Sequence, residues 1–105
     1  ALSLLTQQIG EMGVGKQDNI TEARLSAELL LERARLRTQF GQTAQAVQDL
    51  DHAISLSPIN ADILMARALA FEQLRDFALA KQDAEAVLKL EPGQKEARAL
   101  LARLK

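Results

Sequence analysis

Two phrases of the sequence, HAISLSPIN at residues 52–60 and EAVLKLEPGQ at residues 85–94, each lead an apolar run into a proline. The two prolines, Pro58 and Pro92, stand thirty-four positions apart in the chain. A fixed period of this length is the sequence signature of proteins that stack one small structural unit several times. The phrases therefore predict a repeat whose period is the spacing from Pro58 to Pro92.

Identity at this period extends over the whole unit. Residues 27–60 align with residues 61–94 without a gap, and eleven of the aligned pairs are identical. They are Ala27/Ala61, Leu30/Leu64, Arg33/Arg67, Ala34/Ala68, Gln39/Gln73, Ala44/Ala78, Ala46/Ala80, Gln48/Gln82, Asp49/Asp83, Leu56/Leu90 and Pro58/Pro92. The alignment predicts two copies of one structural unit.

Each unit has the apolar spacing of two helices joined by a short turn, with apolar residues at three- and four-residue intervals. In the second unit these stripes are Ile63, Leu64, Ala68 and Phe71, then Ala80, Ala84, Val87 and Leu88. Gly41 marks the turn in the first unit, because glycine adopts a positive φ at little cost. Proline cannot continue a helix, so Pro92 predicts where the second helix stops.

Composition favours one all-α domain. The chain has 105 residues, 48% of them hydrophobic, a length typical of a single domain. Leu and Ala, which favour helices, dominate the sequence. The β-branched and aromatic residues that strands prefer are scarce.

Composition also argues against several classes of function. With a net charge of −1 the chain lacks the basic surface that binds nucleic acid, so we expect no nucleic-acid partner. No apolar run approaches the ~20 residues of a membrane-spanning helix, so we expect no membrane insertion. Because there is no cysteine, disulfides, thiolate metal sites and cysteine nucleophiles are excluded. The composition does not select a cellular compartment.

The pattern of the two units resembles the tetratricopeptide repeat (TPR) family. That family has a 34-residue unit with a large residue at position 4, small residues at positions 8, 20 and 27, and proline at position 32. These positions hold Leu30, Ala34, Ala46, Ala53 and Pro58 in the first unit, and Leu64, Ala68, Ala80, Val87 and Pro92 in the second. The family's aromatic positions 11 and 17 hold Phe71 and Phe77 in the second unit, but Arg37 and Thr43 in the first.

The resemblance implies a right-handed superhelix of antiparallel helix pairs, a TPR-like solenoid. We expect one domain over residues 1–105, made of two full repeats, a C-terminal capping helix and an N-terminal helix. Its parts are an N-terminal helix (1–12), a Gly-containing loop (13–19), repeat 1 (27–60), repeat 2 (61–94) and the capping helix (95–105). Asn19 and Glu22 resemble a capping box, which predicts a long helix from about Ile20 to Phe40.

A second motif, GEMGVGKQ at residues 10–17, is close to the phosphate-binding pattern G-x-x-x-x-G-K-[ST]. Gln17 stands where a Ser or Thr hydroxyl would ligate magnesium. The preceding LSLLTQQI has helical spacing, whereas a phosphate loop follows a buried strand. We therefore interpret the motif as a turn containing Gly13 and Gly15, and we expect no nucleotide or other cofactor.

His52, beside Asp49 and Asp51, is the only histidine. A single histidine without cysteine or a second histidine is more typical of a surface than of a metal site or a general base. The sequence contains no catalytic triad, paired acids or zinc-ligand spacing, so we expect no enzyme and no metal site.

Other charged residues follow the repeat. Asp49 and Asp83 occupy equivalent positions and are predicted to serve the repeat structure, with Arg33 and Arg67 pairing with neighbouring carboxylates. The cluster Arg33, Arg35 and Arg37 is interpreted as a solvated face, salt-bridged to Glu28 and Glu32 at helical spacing.

The resemblance also implies a binding site. In the family the first helix of each pair lines a concave groove that binds peptide segments of partner proteins. The groove positions correspond to Glu28, Leu31, Arg35, Thr38 and Gln39, to Asp62, Met65, Leu69, Glu72 and Gln73, and to Glu96, Ala99 and Arg103. Leu31, Met65, Leu69 and Ala99 are expected to form its apolar floor, with Arg35 and Arg103 as charged handles. Occupation of the groove by the N-terminal helix, or by the partner of the long helix, is the alternative.

The main hypothesis is therefore a non-enzymatic adaptor that binds a protein or peptide in this groove. Introducing a charge at Met65 and Leu69, as Met65→Glu/Leu69→Glu, is expected to abolish partner capture without unfolding the protein. The alternative is a structural segment of a longer repeat protein, or a homo-oligomer that self-associates through its end helices.

One subfamily binds a C-terminal carboxylate through Lys and Asn side chains in the groove. The matching positions here are Leu31, Arg35, Ala66, Glu96 and Leu100. Only Arg35 could donate to a carboxylate, and Glu96 would repel it, so this mode is disfavoured.

Overall fold

The structure, a computed structural model, describes residues 15–104, with side chains described from Leu25 onward. Within this range the chain forms helices only. They are α1 (Gly15–Gln39), α2 (Thr43–Leu56), α3 (Ala61–Gln73), α4 (Phe77–Leu90) and α5 (Lys95–Arg103). The all-α prediction is confirmed. The helix predicted over residues 1–12 lies outside the described residues, as does most of the phosphate-loop motif.

Helix α1 begins earlier than the sequence predicts. The loop predicted over residues 13–19 is wrong for residues 15–19, because the helix starts at Gly15 and passes through Asn19. Negative charge in the first turn of a helix is favourable, and a start at Gly15 places Asp18 of the sequence in that turn. The Asn-x-x-Glu spacing of a capping box also fits a helix interior, and the cap prediction at Asn19 is therefore wrong.

The two interhelical turns repeat in backbone conformation as well as in position. Gly41, between α1 and α2, has a φ of 81°, as its sequence position predicts. Arg75, at the equivalent position between α3 and α4, has a φ of 63°. A positive φ favours glycine, so Gly41 suits the first turn. Arg75 adopts the same backbone conformation in the second turn although it has a side chain.

Helix starts are capped by loop side chains at three of the four junctions. The Asn60 side chain accepts a hydrogen bond from the Ile63 N–H at 3.2 Å, and the Gln94 side chain accepts one from the Ala97 N–H at 2.9 Å. Asp76 accepts from the N–H of Leu79 at 3.4 Å. These acceptors satisfy N–H groups that have no partner within the helix. The residue before α2, Gln42, makes no such bond.

The core consists of two apolar clusters, each shared by one helix pair and the first helix of the next unit. The first cluster, among α1, α2 and α3, comprises Ala27, Leu31, Ala34, Ala46, Leu50, Ala53, Ile63 and Ala70. The second, among α3, α4 and α5, comprises Met65, Ala68, Ala84, Val87, Ala97 and Leu100. Alanine at the helix crossings allows close packing of the backbones, as the small-residue positions predict. The shared clusters make the helices a continuous stack.

An ion pair recurs in both repeats and ties the two helices of each pair together. Arg33 donates through Nε and Nη2 to the Asp49 carboxylate at 2.9 and 2.7 Å. Arg67 donates in the same way to Asp83 at 2.7 and 2.9 Å. Hydrogen bonding to these carboxylates raises the pKa of both arginines. The prediction that both acids serve the repeat is confirmed, since each is buried and bound by the arginine of the preceding helix.

The arginine cluster of α1 differs in part from its interpretation. Arg35 pairs with Glu32 at 2.8 Å, as expected of a solvated face. Arg37, however, joins Arg33 on the carboxylate of Asp49 at 3.0 Å. For Arg33 and Arg37 the prediction of a solvated face with salt bridges to glutamates of α1 is therefore wrong. Both guanidinium groups bind the buried carboxylate of Asp49 on α2 in place of water.

Candidate functional site

A cleft of about 240 Å³ opens between the first helices of successive units. It is lined by Ala34, Arg35 and Thr38 of α1, Leu50 of α2, Asp62, Met65, Ala66 and Leu69 of α3, and Gln94 and Glu96 at the start of α5. The volume is at the small end for a ligand pocket and suits a side chain or two of a bound segment.

The floor of the cleft is apolar and continuous with the core. Leu50 is fully buried and closes the bottom of the cleft without an exposed surface, and Met65, at 4% exposure, presents only a small one. Leu69 is half-buried and packs on the second cluster. Ala34 and Ala66 leave the space that a larger side chain would fill. An apolar group entering here would cover the half-buried hydrocarbon of Ala66 and Leu69 and displace water from it, which is favourable.

The rim of the cleft carries charge of both signs. The guanidinium of Arg35 is already bound to Glu32, and the Thr38 hydroxyl donates to the Ala34 carbonyl at 2.9 Å. Asp62 and Glu96 are exposed and form no ion pair with any residue whose side chain is described. Glu32 balances the charge of Arg35, so the net charge of the rim is negative.

The structure brings together some of the predicted groove residues and leaves others outside the cleft. Arg35, Asp62, Met65 and Leu69 line it, with Thr38 and Glu96. Glu28, Gln39 and Ala99 are exposed outside the lining, and Leu31 is buried in the first cluster and is not part of the lining either. The glutamine of α3 predicted for the groove, Gln73, instead accepts a hydrogen bond from the Thr43 hydroxyl.

Glu72 and Arg103, both predicted to line the groove, bind each other. The Arg103 Nε and Nη2 atoms donate to the two Glu72 oxygens at 3.0 and 2.9 Å. These hydrogen bonds lower the pKa of Glu72, and the attraction of the guanidinium acts in the same direction, against the effect of partial burial. The same bonds raise the pKa of Arg103. The pair links α3 to α5 and leaves neither group free for a ligand.

Sequence reasoning missed three residues of the lining, Ala34, Leu50 and Gln94. Ala66 was named only as a position that matches the carboxylate-binding subfamily. Leu50 lies on a second helix, whereas the family's groove positions are on first helices. Gln94 caps α5 and reaches the cleft because α5 begins beside it. The identity of Ala34 and Ala68 in both repeats indicated close packing but gave no sign that Ala34 also borders an opening.

Burial of Met65 overturns one expected property of the site. At 4% exposure the Met65 side chain belongs to the second cluster. A glutamate there would bury a carboxylate without a partner, which is strongly destabilising. The expectation that Met65→Glu leaves the fold intact is therefore wrong. Leu69, which is only half-buried, is the residue to substitute in a test of binding.

The remaining polar candidates lie away from the cleft. His52 is exposed on α2, and its carbonyl accepts a hydrogen bond from the Ser55 hydroxyl at 2.6 Å. Over the described part of the chain, no group of three or more His, Cys, Asp or Glu side chains could hold a metal ion. None of the helices described is long and apolar enough to cross a membrane.

Comparison with known families agrees with this architecture. A family model described as tetratricopeptide repeat matches residues 27–60 and 61–94. These are the two segments that the internal alignment pairs. The chain belongs to the tetratricopeptide repeat family. The members of this family are non-enzymatic repeat scaffolds that bind proteins, and the TPR solenoid fold is confirmed. No curated protein matches the sequence of this chain.

Three solved structures resemble the TPR domain, each with a TM-score of 0.74. The first TPR domain of human RPAP3 is 29% identical, and the match covers 75% of this chain and 62% of that one. The Arabidopsis OM64 TPR domain is 27% identical, with 98% and 93% covered. The first TPR of Spaghetti (RPAP3), bound to the HSP90 peptide SRMEEVD, is 25% identical, with 96% and 87% covered.

The positions that would grip a C-terminal carboxylate are not arranged for that purpose here. Leu31 and Leu100 are buried in the core and Ala66 has no donor. Arg35 is paired with Glu32, and Glu96 adds a negative charge to the rim. A donor set for a carboxylate is therefore missing among these five positions.

Proposed function

We propose that this TPR domain binds a short segment of a partner protein by inserting one apolar side chain into the cleft and placing a cationic side chain at its rim. The observation that carries the proposal is the combination of an apolar floor, formed by Leu50, Met65 and Leu69, with the carboxylates of Asp62 and Glu96 at the opening. An apolar side chain gains from burial, and a lysine or arginine beside it gains from the two negative charges.

A protein ligand is supported by the family, whose members are repeat scaffolds that bind proteins. One neighbour is bound to a peptide, SRMEEVD, in its solved structure. That peptide carries one arginine, next to a methionine, and three acidic residues. The Arg-Met pair has the proposed pattern, but the three carboxylates oppose the negative rim, so we expect SRMEEVD to bind more weakly than peptides of net positive charge. The partner proposed here is a segment that pairs an apolar residue with a basic one.

The proposal is tested by selecting ligands from a random peptide library displayed on phage and measuring their affinities by fluorescence anisotropy. Selected peptides should share an apolar residue next to Lys or Arg. Leu69→Lys places a positive charge at the floor of the cleft and should weaken their binding by about tenfold or more.

Leu79→Lys is the matched control, because Leu79 is 39% exposed on α4, away from the cleft. It should bind the selected peptides as the wild type does. Circular dichroism melts of both variants identify any loss of fold. Selected peptides that bind the folded Leu69→Lys variant with unchanged affinity would exclude the cleft as their site.

A further inference from the structure

Helix α1 has four exposed apolar residues on the side turned away from the core. Leu25, Leu29 and Leu36 are 53%, 70% and 54% exposed, and Phe40 is 77% exposed. Phe40 directly follows α1 and continues its hydrogen bonding, with its N–H donating to the Leu36 carbonyl at 3.0 Å. At about 100° per residue the four side chains fall within about 60° of one another, on one face. We call them the α1 stripe.

The repeat identifies what kind of surface the α1 stripe is. The repeat equivalents of Leu29 and Leu36 are Ile63 and Ala70, and both are fully buried in the first cluster. In repeat 2 these positions form the seam against the preceding unit. The α1 stripe therefore carries seam residues, but within the described residues no helix covers them.

The size of the α1 stripe argues for an occupant. The four side chains expose roughly 500 Å², near the upper end of the apolar patches found on monomeric proteins, where such patches mark interaction sites. A contact through these four side chains buries less than the ~800 Å² per partner of a standard interface, which is the size expected of a weak dimer.

We propose that the occupant is a second copy of this chain, with the two α1 stripes packed side by side in parallel. A twofold contact uses the same patch on both copies, so Leu29 meets Leu29 and Leu36 meets Leu36. Both α1 core faces point away from the contact, because Ala27, Leu31 and Ala34 lie on the opposite side of the helix. The cleft stays open in this dimer, since it is on the core side of α1.

Charges beside the α1 stripe select the parallel orientation. Glu32 and Arg33 flank it on opposite sides, being about 100° apart around the helix. In a parallel pair, Glu32 of one copy lies beside Arg33 of the other on both flanks. An antiparallel pair would instead set Glu32 beside Glu32 and Arg33 beside Arg33. Both side chains are more than half exposed, so they are accessible to a second copy even while bound to Arg35 and Asp49.

Sedimentation equilibrium from micromolar to near-millimolar concentration tests the dimer. The wild type should dimerise, and Leu29→Lys/Leu36→Lys should raise the dissociation constant by about tenfold or more because both cations would meet in the contact. Since both residues are exposed, the circular dichroism melt at low concentration should not change. A wild type that stays monomeric at every concentration overturns the proposal.

Site-directed cross-linking tests the orientation, and the chain has no native cysteine to interfere. Leu29→Cys should form a disulfide-linked dimer under mild oxidation, while Leu79→Cys, exposed on α4, should not. Cross-links that form only in a mixture of Leu29→Cys and Leu36→Cys would overturn the parallel arrangement. Because the cleft is not involved, peptide binding by the double lysine variant should be unchanged.

Discussion

At the scale of single residues, equivalent positions in the two repeats provide internal controls. Gly41 and Arg75 occupy the same turn and share a positive φ, which costs a non-glycine residue roughly 1 kcal/mol. We therefore expect Arg75→Gly to raise the free energy of unfolding by about 0.5–1 kcal/mol, measured by urea denaturation.

Gly41→Arg is the reverse substitution and should lower the free energy of unfolding by a similar amount. A Cβ added at Gly41 meets no atom within 4 Å, so any loss arises from the backbone conformation and not from a clash. Equal stabilities for Arg75→Gly and the wild type would show that the positive φ is not strained at this turn.

The Glu72–Arg103 pair makes a residue-scale prediction with a definite pH dependence. The pKa of Glu72 is lowered from its ordinary value of 4.5, so the folded state binds this proton less readily than the unfolded state. The stabilisation is therefore present above pH 4.5 and is lost as the pH falls through the lowered pKa. Glu72→Gln should reduce stability at pH 7, and the difference from the wild type should shrink towards pH 3.

Glu85→Gln is the control for that experiment. Glu85 is exposed on α4 and has no ion pair with any residue whose side chain is described. Its stability difference from the wild type should stay small at both pH values. A Glu72→Gln deficit as large at pH 3 as at pH 7 would mean that the loss is one of packing.

At the scale of elements, the helix starts differ in their caps. Asp76 caps α4, whereas its repeat equivalent Gln42 leaves α2 without a side-chain cap. Gln42→Asp should supply an acceptor for an N–H in the first turn of α2 and stabilise the protein by about 1 kcal/mol. Thermal denaturation measures the change, and Asp76→Gln should show the converse loss. If Gln42→Asp melts no higher than the wild type, the turn geometry does not permit the cap.

Sequence reasoning worked where the repeat itself carries the information. Period, composition and the small residues at the helix crossings predicted the helices and the alanine-lined contacts, and the pairing of Arg33 and Arg67 with carboxylates followed from equivalent positions. It failed at the start of α1, which lies before the first unit and has no repeat equivalent. There the only guides were glycine content and a local cap pattern, and both fit more than one structure.

The candidate site was less predictable than the fold. Family positions located Arg35, Asp62, Met65 and Leu69 in the cleft lining. They could not foresee that Glu72 and Arg103 bind each other, because the two are far apart in sequence and meet only through helix packing. Nor could they show that Leu31 belongs to the core, since depth depends on the neighbours that cover each side chain.

At the scale of the whole molecule, stability depends on the seams between units. Ile63 is fully buried at the seam between repeat 1 and repeat 2. Ile63→Ala should destabilise the protein by about 2–5 kcal/mol, through lost burial and the cavity left behind. Urea denaturation followed by circular dichroism provides the measurement.

Ile59→Ala is the matched control, since Ile59 is 80% exposed in the loop before α3. This identical substitution should change the free energy of unfolding by less than about 0.5 kcal/mol. Similar losses for the two variants would show that the seam contributes little to the stability of the stack.

Helix α1 has 25 residues and α3 only 13. Because α1 is unbroken, the direction of its Gly15 end is fixed relative to the cleft. Each residue inserted near that end would rotate the first residue of α1 by about 100° around the helix axis and shift it by about 1.5 Å. The number of inserted residues would therefore set the direction in which the cleft faces relative to the start of α1.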